Sequence, residues 1–469
     1  GPKTALHLYE SLNIKTIKDL ERAAKAGKIS TIPHMGIKTQ RNMLRAIAFL
    51  HSSSGRQTIH LAMPFAQHLV EKLQAVPGVK HIEIAGSLRR RKETIGDIDL
   101  LATTTDPSKL IRAFKQLAFI SEILEEGPTK MTVRYTNNMN GDLRILQPEA
   151  YGAGLVYFTG SKEHNILLRQ RAIKQKMKLS EYGLFQGKKR LASKTEKHMY
   201  TALGLSYIPP EIRVGADEIE RAVTHHIPTL VEYGSLKGDL QVQTNWSDGT
   251  DSIEDMALAA KAYGLSYIAV TDHTQSLHIA HGLDEKRLLN QGKEIDQLNK
   301  RLKGFRLLKS TECDIRKDGS LDLSDTALCT LDLVCLSVHT NRKMTKQAMT
   351  ERIIRGIQHP LVHILLHPTG RIINVRDQYA MDMDQIIRAA KQYNVALEVN
   401  GSERLDPHQK YIRQAIDYGV KLVISSDTHA PEQFVNLDFG IGQARRGWAK
   451  PSDVLNTKTI SAFLKAIKK

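Results

Sequence analysis

The apolar positions near the start of the chain repeat with the spacing of amphipathic helices. Between residues 16 and 28 they fall three or four positions apart, which predicts a helix. The segment 38–50 repeats the pattern and predicts a second helix after a turn that contains proline and glycine. The stretch 52–58 is rich in serine and has the composition of a linker. We therefore predict a small helical unit over residues 1–55.

From residue 56 to 149 the pattern changes to short apolar runs separated by amphipathic helices. Runs of this length, rich in Ile, Val and Thr, predict strands of a sheet. The predicted helices are 65–76 and 108–119, and the predicted strands are 81–87, 97–104, 131–137 and 141–148. This alternation favours an α/β unit with a sheet of its own.

Residues 150–210 are predicted to be mostly helical and are rich in lysine and arginine. One basic run lies on a predicted helix and comprises Arg169, Arg171, Lys174, Lys176 and Lys178. A second basic cluster covers Lys188–Arg190. Such runs usually mark a solvated helix face, although contact with phosphate is an equal alternative beside a nucleic-acid site. Residues 211–235 are predicted to be a connector.

A regular alternation of buried strands and helices begins at residue 236. The predicted strands are 266–273, 305–315, 331–339, 362–368, 395–400 and 421–429. Strands that alternate with helices predict a parallel sheet or a β/α barrel. Polar residues stand at the carboxyl ends of these strands, where the active sites of α/β folds lie.

Composition adds a charge asymmetry to this picture. The chain has 469 residues with a net charge of +17. Residues 1–235 hold 35 Lys+Arg and 22 Asp+Glu, a net of +13, whereas residues 236–469 hold 32 and 28, a net of +4. This excess indicates a polyanionic partner for the first half. The chain shows neither an apolar run long enough to span a membrane nor a signal peptide. Its three cysteines lack metal-site spacing, which favours a reducing compartment.

Paired carboxylates are the first candidate site. Asp97 and Asp99 alternate along a predicted strand and therefore present their side chains on one face. Asp142 lies on another predicted strand that could neighbour them. Three carboxylates can hold two Mg²⁺ or Mn²⁺ ions, the arrangement needed for in-line attack of a hydroxyl on a phosphate. The Gly86-Ser87 turn offers donors for phosphate oxygens, and the arginines that follow supply positive charge. A solvated strand edge is the alternative for the Asp-x-Asp pair alone.

Metal-ligand residue types at strand ends are the second candidate site. A single histidine there is more often structural, but several strand ends of one predicted barrel carry such residues. They are Asp248, His273, Glu312, His339, His367, Asp427 and His429. Their number favours a metal centre.

The segment GSLRRRKETIGDIDLL resembles the palm signature of family X DNA polymerases, in the nucleotidyltransferase superfamily. GDLRIL resembles the strand that bears their third catalytic aspartate, and YFTGSKEHNILLR resembles their nucleotide-selection segment. The resemblance implies that Asp97 and Asp99 bind both metals and that Asp142 helps to activate the primer 3′-hydroxyl. It further implies that Gly86, Ser87 and Arg90 bind the triphosphate. Tyr157 and Phe158 would lie against the sugar, with Gly160 in the same turn. Asn165 would face the base edge, and Arg169 would face the template.

Two turns near the start resemble helix-hairpin-helix loops, which bind DNA phosphates at a helix N-terminus. They are GPKT at 1–4 and IPHMGIKT at 32–39, and in the second the resemblance implies DNA contacts from Lys38 and Thr39. His34 stands where the loop normally has glycine. The first copy begins at residue 1, so we expect a truncated N-terminus. We do not predict the lyase activity of the helical domain that precedes this region in bacterial relatives.

The second half resembles the PHP domain that bacterial family X polymerases carry, through SLDLSDTALCTLDLVCLSVH and ILLHPTGR. The resemblance implies three Zn²⁺ or Mn²⁺ ions held by nine residues and linked to 3′→5′ exonuclease activity. Seven of the nine are present, but Gln241 and Gln243 replace the histidines of an opening H-x-H motif. Three ligand sets are implied: the H-x-H positions with Glu312 and Asp427, then Glu312 with His339 and His367, then Asp248 with His273 and His429. We expect an incomplete site.

The sequence thus predicts a multidomain α/β protein in five parts. They are a helix-hairpin-helix segment (1–55), a palm with a mixed sheet (56–149), a helical, basic nucleotide-selection subdomain (150–210), a linker (211–235) and a PHP β/α barrel (236–469). The predicted function is a DNA polymerase for short repair gaps, with gapped or primed DNA and dNTPs as partners. We expect a monomer in the cytoplasm, at the nucleoid and off the membrane. A PHP phosphoesterase with a DNA-binding first half, or a non-catalytic DNA-binding scaffold, are the alternatives.

Overall fold

The computed structural model describes residues 8–32, 35, 36, 39, 40, 43 and 56–468. Near the start it contains one complete helix, Ile17–Lys25, which Thr16 caps by accepting a hydrogen bond from the backbone of Asp19. Most of the predicted helix 38–50 lies outside the described residues, and Thr39, Gln40 and Met43 are helical. In the part of the chain that the structure describes, no helix combines the length and apolar character needed to cross a bilayer.

The palm is a five-stranded sheet that helices cover. Its strands, in spatial order, are Val79–Ile84, Asp97–Thr104, Asn140–Ile145, Lys130–Tyr135 and Ile120–Glu126. Strands Asp97–Thr104 and Asn140–Ile145 run parallel, and the other neighbours are antiparallel, so the sheet is mixed as predicted. The helices are Ile59–Gln74, Gly86–Arg89 and Pro107–Lys115.

Two details of the palm differ from the sequence analysis. The predicted strand 81–87 ends at Ile84, and Gly86–Arg89 forms one helical turn instead. The strand Ile120–Glu126 was not predicted, because an edge strand that is mostly exposed lacks the apolar alternation that signals burial. Leu405 and Phe439 of the second half complete the apolar core of the palm, so the two halves of the chain share packing.

The segment 150–210 is less helical than predicted. Its helices are Tyr151–Thr159, Lys162–Lys174 and Glu196–Ala202, and its antiparallel three-stranded sheet comprises Lys178–Ser180, Gly183–Gln186 and Lys189–Ala192. Gly187 has a φ of +58° in the tight turn between the last two strands, a conformation that glycine adopts without strain. The basic run 169–178 therefore does not lie on one helix, since the helix ends at Lys174 and Lys178 begins a strand. A short helix, Glu218–Val223, lies in the connector.

The second half is an all-parallel barrel of alternating strands and helices. The strands are Gly238–Val242, Tyr267–Val270, Arg306–Lys309, Glu312–Asp314, Cys335–Ser337, Ile364–Leu365, Ala396–Asn400 and Leu422–Ser425. The helices are Ile253–Tyr263, Glu285–Arg301, Asp325–Leu328, Lys346–Ile357, Met383–Gln392, Gln409–Asp417, Asn436–Arg446 and Ile460–Ile467. Parallel bridges His273–Glu312 and Val242–Thr428 join the two sheets into a ring.

The predicted strand 305–315 is two strands. Its first part pairs with Tyr267–Val270 and its second part with Cys335–Ser337, so the break occurs where the chain changes partners. The other predicted barrel strands are present but shorter. This topology brings the carboxyl ends of all the strands to one rim.

Candidate active sites

Three carboxylates meet on neighbouring strands of the palm sheet. Asp97 and Asp99 lie two residues apart on one strand, and in the parallel pairing Asp99 aligns with Asp142. Thr132 lies opposite Asp142 on the next strand and donates from Oγ1 to Asp142 Oδ1 at 2.5 Å. The sheet register therefore brings the predicted carboxylates together, and a threonine that the sequence analysis did not single out orients one of them.

The charges of this cluster oppose each other. Burial, followed by the neighbouring charges of Asp97 and Asp142, raises the pKa of Asp99 to about 7. Arg90 and Arg144 act in the opposite direction without overcoming it. Oxygen-only ligands with this much crowded negative charge fit a hard divalent cation such as Mg²⁺ or Mn²⁺. Arg144 was not singled out from the sequence, although it lies two residues after Asp142 and hence on the same face.

The turn that begins at Gly86 packs directly on Asp99. Gly86 has a φ of +59°, and a Cβ there would lie 1.9 Å from Asp99 Oδ2, so only glycine fits. The backbone N–H of Ala85 donates to the carbonyl oxygen of Asp99 at 2.8 Å. Ser87 Oγ is buried and has no hydrogen-bond partner among the described residues. A buried hydroxyl without a partner is costly, which fits a hydroxyl that donates a hydrogen bond to a phosphate oxygen when the substrate is bound.

The three consecutive arginines have three different environments. Arg89 binds the carboxylate of Glu196 through both Nη atoms at 2.8 Å and ties the turn to the next subdomain. Arg91 lies over the ring of Tyr233, 4.9 Å from its centroid. Arg90 faces the carboxylates and donates from Nη1 to the carbonyl oxygen of Thr159. Of these three arginines, Arg90 is therefore the one that contributes charge to the palm site, beside Arg144.

The predicted nucleotide-selection residues lie on two successive helices beside this turn. The rings of Tyr157 and Phe158 are 5.1 Å apart. Asn165 donates from Nδ2 to the carbonyl oxygen of Tyr157 at 2.7 Å, and Arg169 covers the same ring at 5.9 Å. Gly160, with a φ of +69°, lies against the guanidinium of Arg90. Asn165 and Arg169 thus contact Tyr157 here, and their base and template contacts stay predictions.

The hairpin near the start is only partly described. The backbone N–H of Thr39 donates to the carbonyl oxygen of Gly36 at 2.9 Å, so Thr39 begins a helical turn. Lys38, Pro33 and His34 lie outside the described residues, as does the first hairpin copy at 1–4. The predicted phosphate contacts of Lys38 and Thr39 stay predictions.

The strand ends of the barrel bring one group of metal-ligand residues together at its mouth. Nε2 of His273 and Nε2 of His429 each lie 3.6 Å from Asp248 Oδ1. The ligand atoms of these three residues all lie within 4.8 Å of one another. Two imidazoles and a carboxylate at this spacing have the chemistry of a Zn²⁺ or Mn²⁺ site.

Glu312 is the centre of a second group deeper in the barrel. Its Oε1 lies 2.7 Å from Nε2 of His367 and 3.1 Å from Nε2 of His339, and its Oε2 lies 3.4 Å from Nδ1 of His273. His273 therefore adjoins both groups. Burial alone would raise the pKa of Glu312, but His273 and His339 hold it well below its usual value. Burial lowers the pKa of His339, but Glu312 and Asp314 together outweigh it and raise the pKa of that imidazole to about 9.

The residues of the third implied ligand set form hydrogen bonds and an ion pair with other side chains of the barrel. Gln241 and Gln243 both donate from Nε2 to Glu312 Oε2, at 3.2 and 3.1 Å. Asp427 pairs with Arg404, whose Nε lies 3.1 Å from Oδ2. Asn400 donates to Gln241 Oε1 at 3.0 Å and to Asp427 Oδ2 at 3.2 Å. Amide oxygens are poor ligands for Zn²⁺ compared with imidazole, so these residues do not fit a third ion as the other two groups do.

Arg404 and Asn400 were not found from the sequence. Asn400 ends the predicted strand 395–400 and carries a weak strand-end signal, whereas Arg404 lies in a loop with no pattern of its own. Their proximity to Asp427 depends on barrel closure.

Comparisons with known proteins identify relatives of both halves of the chain. Residues 154–214 match the family described as DNA polymerase beta thumb, and residues 239–402 match the PHP domain. The chain is 35% identical to the DNA polymerase/3'-5' exonuclease PolX of Bacillus subtilis over 99% of its own length and 83% of that protein. It is 29% identical to a probable phosphatase of Acetivibrio thermocellus, over 38% of this chain and 73% of that one.

Among solved structures, the chain is similar to the Leishmania infantum polymerase beta in a ternary primer/template complex. The identity is 23%, the TM-score is 0.31, and the match covers 46% of this chain and 94% of that one. The match to the Bacillus protein extends through both halves, the palm with its subdomain and the barrel. The chain therefore belongs to the PolX family, the family X DNA polymerases that carry a PHP domain.

Proposed function

We propose that the protein is a DNA-directed DNA polymerase that adds nucleotides to a primer 3′-hydroxyl in short repair gaps. The observation that carries this proposal is the convergence of Asp97, Asp99 and Asp142 beside the turn of Ser87 and Arg90. Three carboxylates next to a phosphate-binding turn suit nucleotidyl transfer. The palm would hold Mg²⁺ or Mn²⁺, which lowers the pKa of the attacking hydroxyl and neutralises the charge on the triphosphate.

The residues around the carboxylates bind and orient the two substrates in this proposal. Asp142, which accepts a hydrogen bond from Thr132, would help to activate the primer 3′-hydroxyl, and Ser87 and Arg90 would bind the triphosphate. The substrate contacts of the nucleotide-selection subdomain are those that the family resemblance implies: Tyr157 and Phe158 against the sugar, with Gly160 in their turn, Asn165 at the base edge and Arg169 toward the template. Lys38 and Thr39 bind the DNA backbone.

The PHP barrel acts as an impaired 3′→5′ exonuclease in this proposal. One metal would be held by Asp248, His273 and His429, and another by Glu312, His339 and His367, with Zn²⁺ or Mn²⁺ as the ion. Asp427 lacks the two imidazoles that its set requires and is paired with Arg404 instead. The alternative of a PHP phosphoesterase with a DNA-binding first half is not favoured, because it leaves the palm carboxylates without a role. We place the protein in the cytoplasm, at the nucleoid, as a monomer.

The test is extension of a one-nucleotide gap with Mg²⁺ or Mn²⁺. We expect the unmodified chain to add the templated nucleotide and Asp99→Ala to reduce the rate by at least about 10³-fold, as expected when a metal-binding carboxylate is removed. Binding of Asp99→Ala to the gapped DNA should stay within about twofold, since the affinity comes mainly from contacts to phosphates. Extension by Asp99→Ala at the unmodified rate would overturn the assignment.

A further inference from the structure

The PHP barrel contacts the palm at the turn that precedes the catalytic strand. Glu93 lies in this 86–96 turn, and its carboxylate accepts hydrogen bonds from both Nη atoms of Arg371, at 3.2 and 2.7 Å. The side chains are 18% and 14% exposed. Gln443 adds a hydrogen bond from Nε2 to Glu93 Oε1 at 2.6 Å. A bidentate pair with little solvent access fixes geometry as well as charge.

Two more contacts from the barrel reach the same turn. Arg446 donates from Nη1 to the carbonyl oxygen of Arg90 at 2.9 Å. Gly442 packs on Arg91, where an added Cβ would approach within 3.3 Å of the arginine side chain. Gln443, Gly442 and Arg446 all belong to the helix Asn436–Arg446. One helix and one arginine of the barrel therefore hold residues 90, 91 and 93 of the palm.

Arg371 is itself held firmly within the barrel. Its backbone N–H donates to Asp406 Oδ2 at 3.1 Å, and Thr369 donates from Oγ1 to the same oxygen at 2.8 Å. Its Nη2 also donates to the carbonyl oxygen of Leu405. Burial alone would raise the pKa of Glu93, but Arg371 holds it below its usual value, so the pair is ionised at neutral pH. The barrel thus presents a fixed cation to the palm turn.

The other side of the same turn faces the palm site. It carries Ser87 and Arg90, and it continues into the strand that begins at Asp97. Within the first half of the chain, the turn is also tied by Arg89 on Glu196, by Arg90 on the carbonyl oxygen of Thr159 and by the pairing of Gln57–Thr58 with Thr94–Ile95. The barrel adds the contacts to the side chain of Glu93, so the position of the triphosphate-binding groups depends in part on another domain.

We propose that the PHP barrel positions the triphosphate-binding turn of the palm, and that Glu93 and Arg371 are positioning residues for nucleotide incorporation. This inference rests on the proposed polymerase function. It gives the barrel a role that its own metal chemistry does not require. Loss of the pair leaves a poorly solvated charge and loosens the turn, which weakens dNTP binding while the DNA contacts elsewhere are kept.

The experiment is single-nucleotide incorporation into a gapped duplex by the full chain, with kcat and KM for dNTP measured separately. Glu93→Gln and Arg371→Met should each raise KM by about tenfold or more and keep the Kd for DNA within about twofold. The double variant should be no worse than the poorer single variant, because both changes remove one interaction. Gln443→Leu, a milder change, should raise KM by about two- to fourfold.

The matched control is another bidentate ion pair at the same domain boundary. Arg445 binds Glu211 at 2.7 and 3.2 Å with exposures of 15% and 6%. The other hydrogen bonds of this pair join Arg445 to Val231 and Tyr233 to Glu211, so the pair adjoins the 86–96 turn through the ring of Tyr233 under Arg91 and does not bind Glu93. Glu211→Gln and Arg445→Met should lower Tm by amounts similar to the first pair yet leave KM within about twofold. An equal rise of KM in both pairs would reduce the effect to general destabilisation and overturn the inference.

A binding measurement separates this inference from the proposed function. A non-hydrolysable dNTP analogue is titrated with Ca²⁺ into complexes with dideoxy-terminated gapped DNA, and ternary complex formation is followed by fluorescence anisotropy. Weaker analogue binding by Glu93→Gln and Gln443→Leu, with unmodified binding by Glu211→Gln, supports the inference. Unchanged analogue binding and KM in Glu93→Gln overturn the inference alone. An unmodified chain that neither extends DNA nor binds the analogue overturns both.

Discussion

The palm site and the barrel site are both clusters of metal-ligand residues, but they are built in opposite ways. Two palm carboxylates lie on one strand and the third on its paired neighbour, so local register assembles them. The barrel ligands come from the ends of many strands, so only closure of the ring brings them together. In the palm, like charges crowd and the pKa of Asp99 rises to about 7. In the barrel, acids and imidazoles balance, and the pKa of Glu312 falls.

This difference explains how each site tolerates change. At the two positions where the family resemblance implies imidazoles, Gln241 and Gln243 donate hydrogen bonds to Glu312, and Arg404 forms an ion pair with Asp427. Each of these buried side chains therefore has a protein partner, which offsets the cost of burying it. In the palm, Thr132, Arg90 and Arg144 offset only part of the repulsion between the carboxylates, so the site needs further positive charge from outside. We expect substitutions there to be less well tolerated in activity.

The largest expected effect is the loss of gap filling after a substitution in the palm but not after the matched substitution in the barrel. Asp97→Asn should lower kcat/KM for gap filling by at least about 10³-fold, because it removes one of the carboxylates that neutralise two cations. Glu312→Gln, a matched acid-to-amide change in the barrel, should leave gap filling within about threefold. Both rates are measured on the same duplex. Equal losses from the two variants would mean that the sites are not separable.

Restoring the barrel ligands should give the next largest effect. Gln241→His/Gln243→His should raise Mn²⁺-dependent 3′→5′ digestion of single-stranded DNA by about tenfold or more, since imidazole replaces a weakly binding amide. Metal analysis by mass spectrometry should show one additional bound ion per chain. The controls are Asp99→Ala, which should not affect digestion, and His339→Ala in the revertant, which should remove it. Robust digestion by the unmodified chain would show that two ligand sets suffice.

DNA affinity should depend on charge in the first half more than in the second. Replacing Lys188, Lys189 and Arg190, which are exposed, with glutamine should reduce the slope of log K against log salt by about 2 to 3, at roughly 0.9 per phosphate contact. The matched control replaces Lys286, Lys300 and Lys343, exposed residues of the barrel half, and should change the slope by less than about 1. Equal changes of the salt-dependence slope in both triple variants would contradict the predicted asymmetry between the two halves.

The smallest expected effect concerns stability against pH. The pKa of Asp99 in the fold, about 7, lies above its ordinary value of 3.8, so the folded state binds more protons between these values and stability falls as pH rises through that window. Asp99→Asn should therefore raise the Tm of the metal-free protein at pH 8, with a stability gain of at most about 4 kcal/mol at about 1.4 kcal/mol per pKa unit, and the gain should vanish near pH 4.

Calorimetry between pH 4 and pH 8 measures this trend, with Asp97→Asn as the control. Asp97 is exposed, whereas Asp99 is half-buried, so the control should show a smaller gain. Adding Mg²⁺ at pH 8 should raise the Tm of the unmodified chain more than that of Asp99→Asn. A pH-independent gain in Asp99→Asn would indicate a packing effect instead of charge repulsion.

The amino-acid sequence alone determined the palm strand 97–104 and placed its two carboxylates on the same face, because side chains alternate between the two faces along a strand. It also determined the parallel barrel and the family, since a strand–helix rhythm and motif residues are local in the chain. It failed for the strands of 178–192 and for the exposed edge strand 120–126, where turns and tertiary packing override weak local patterns.

Only the tertiary structure decided how the three adjacent arginines divide their roles, because Arg89, Arg90 and Arg91 look alike in sequence and differ in their partners. The same holds for Arg404 beside Asp427 and for Arg371 on Glu93, pairs separated by 23 and 278 positions. Ion pairs between distant residues leave no periodic signal, since their partners are chosen by the folding of the whole chain. The residue types of each site could therefore be predicted from local motifs. The partners that hold these residues in place and balance their charge depend on long-range packing.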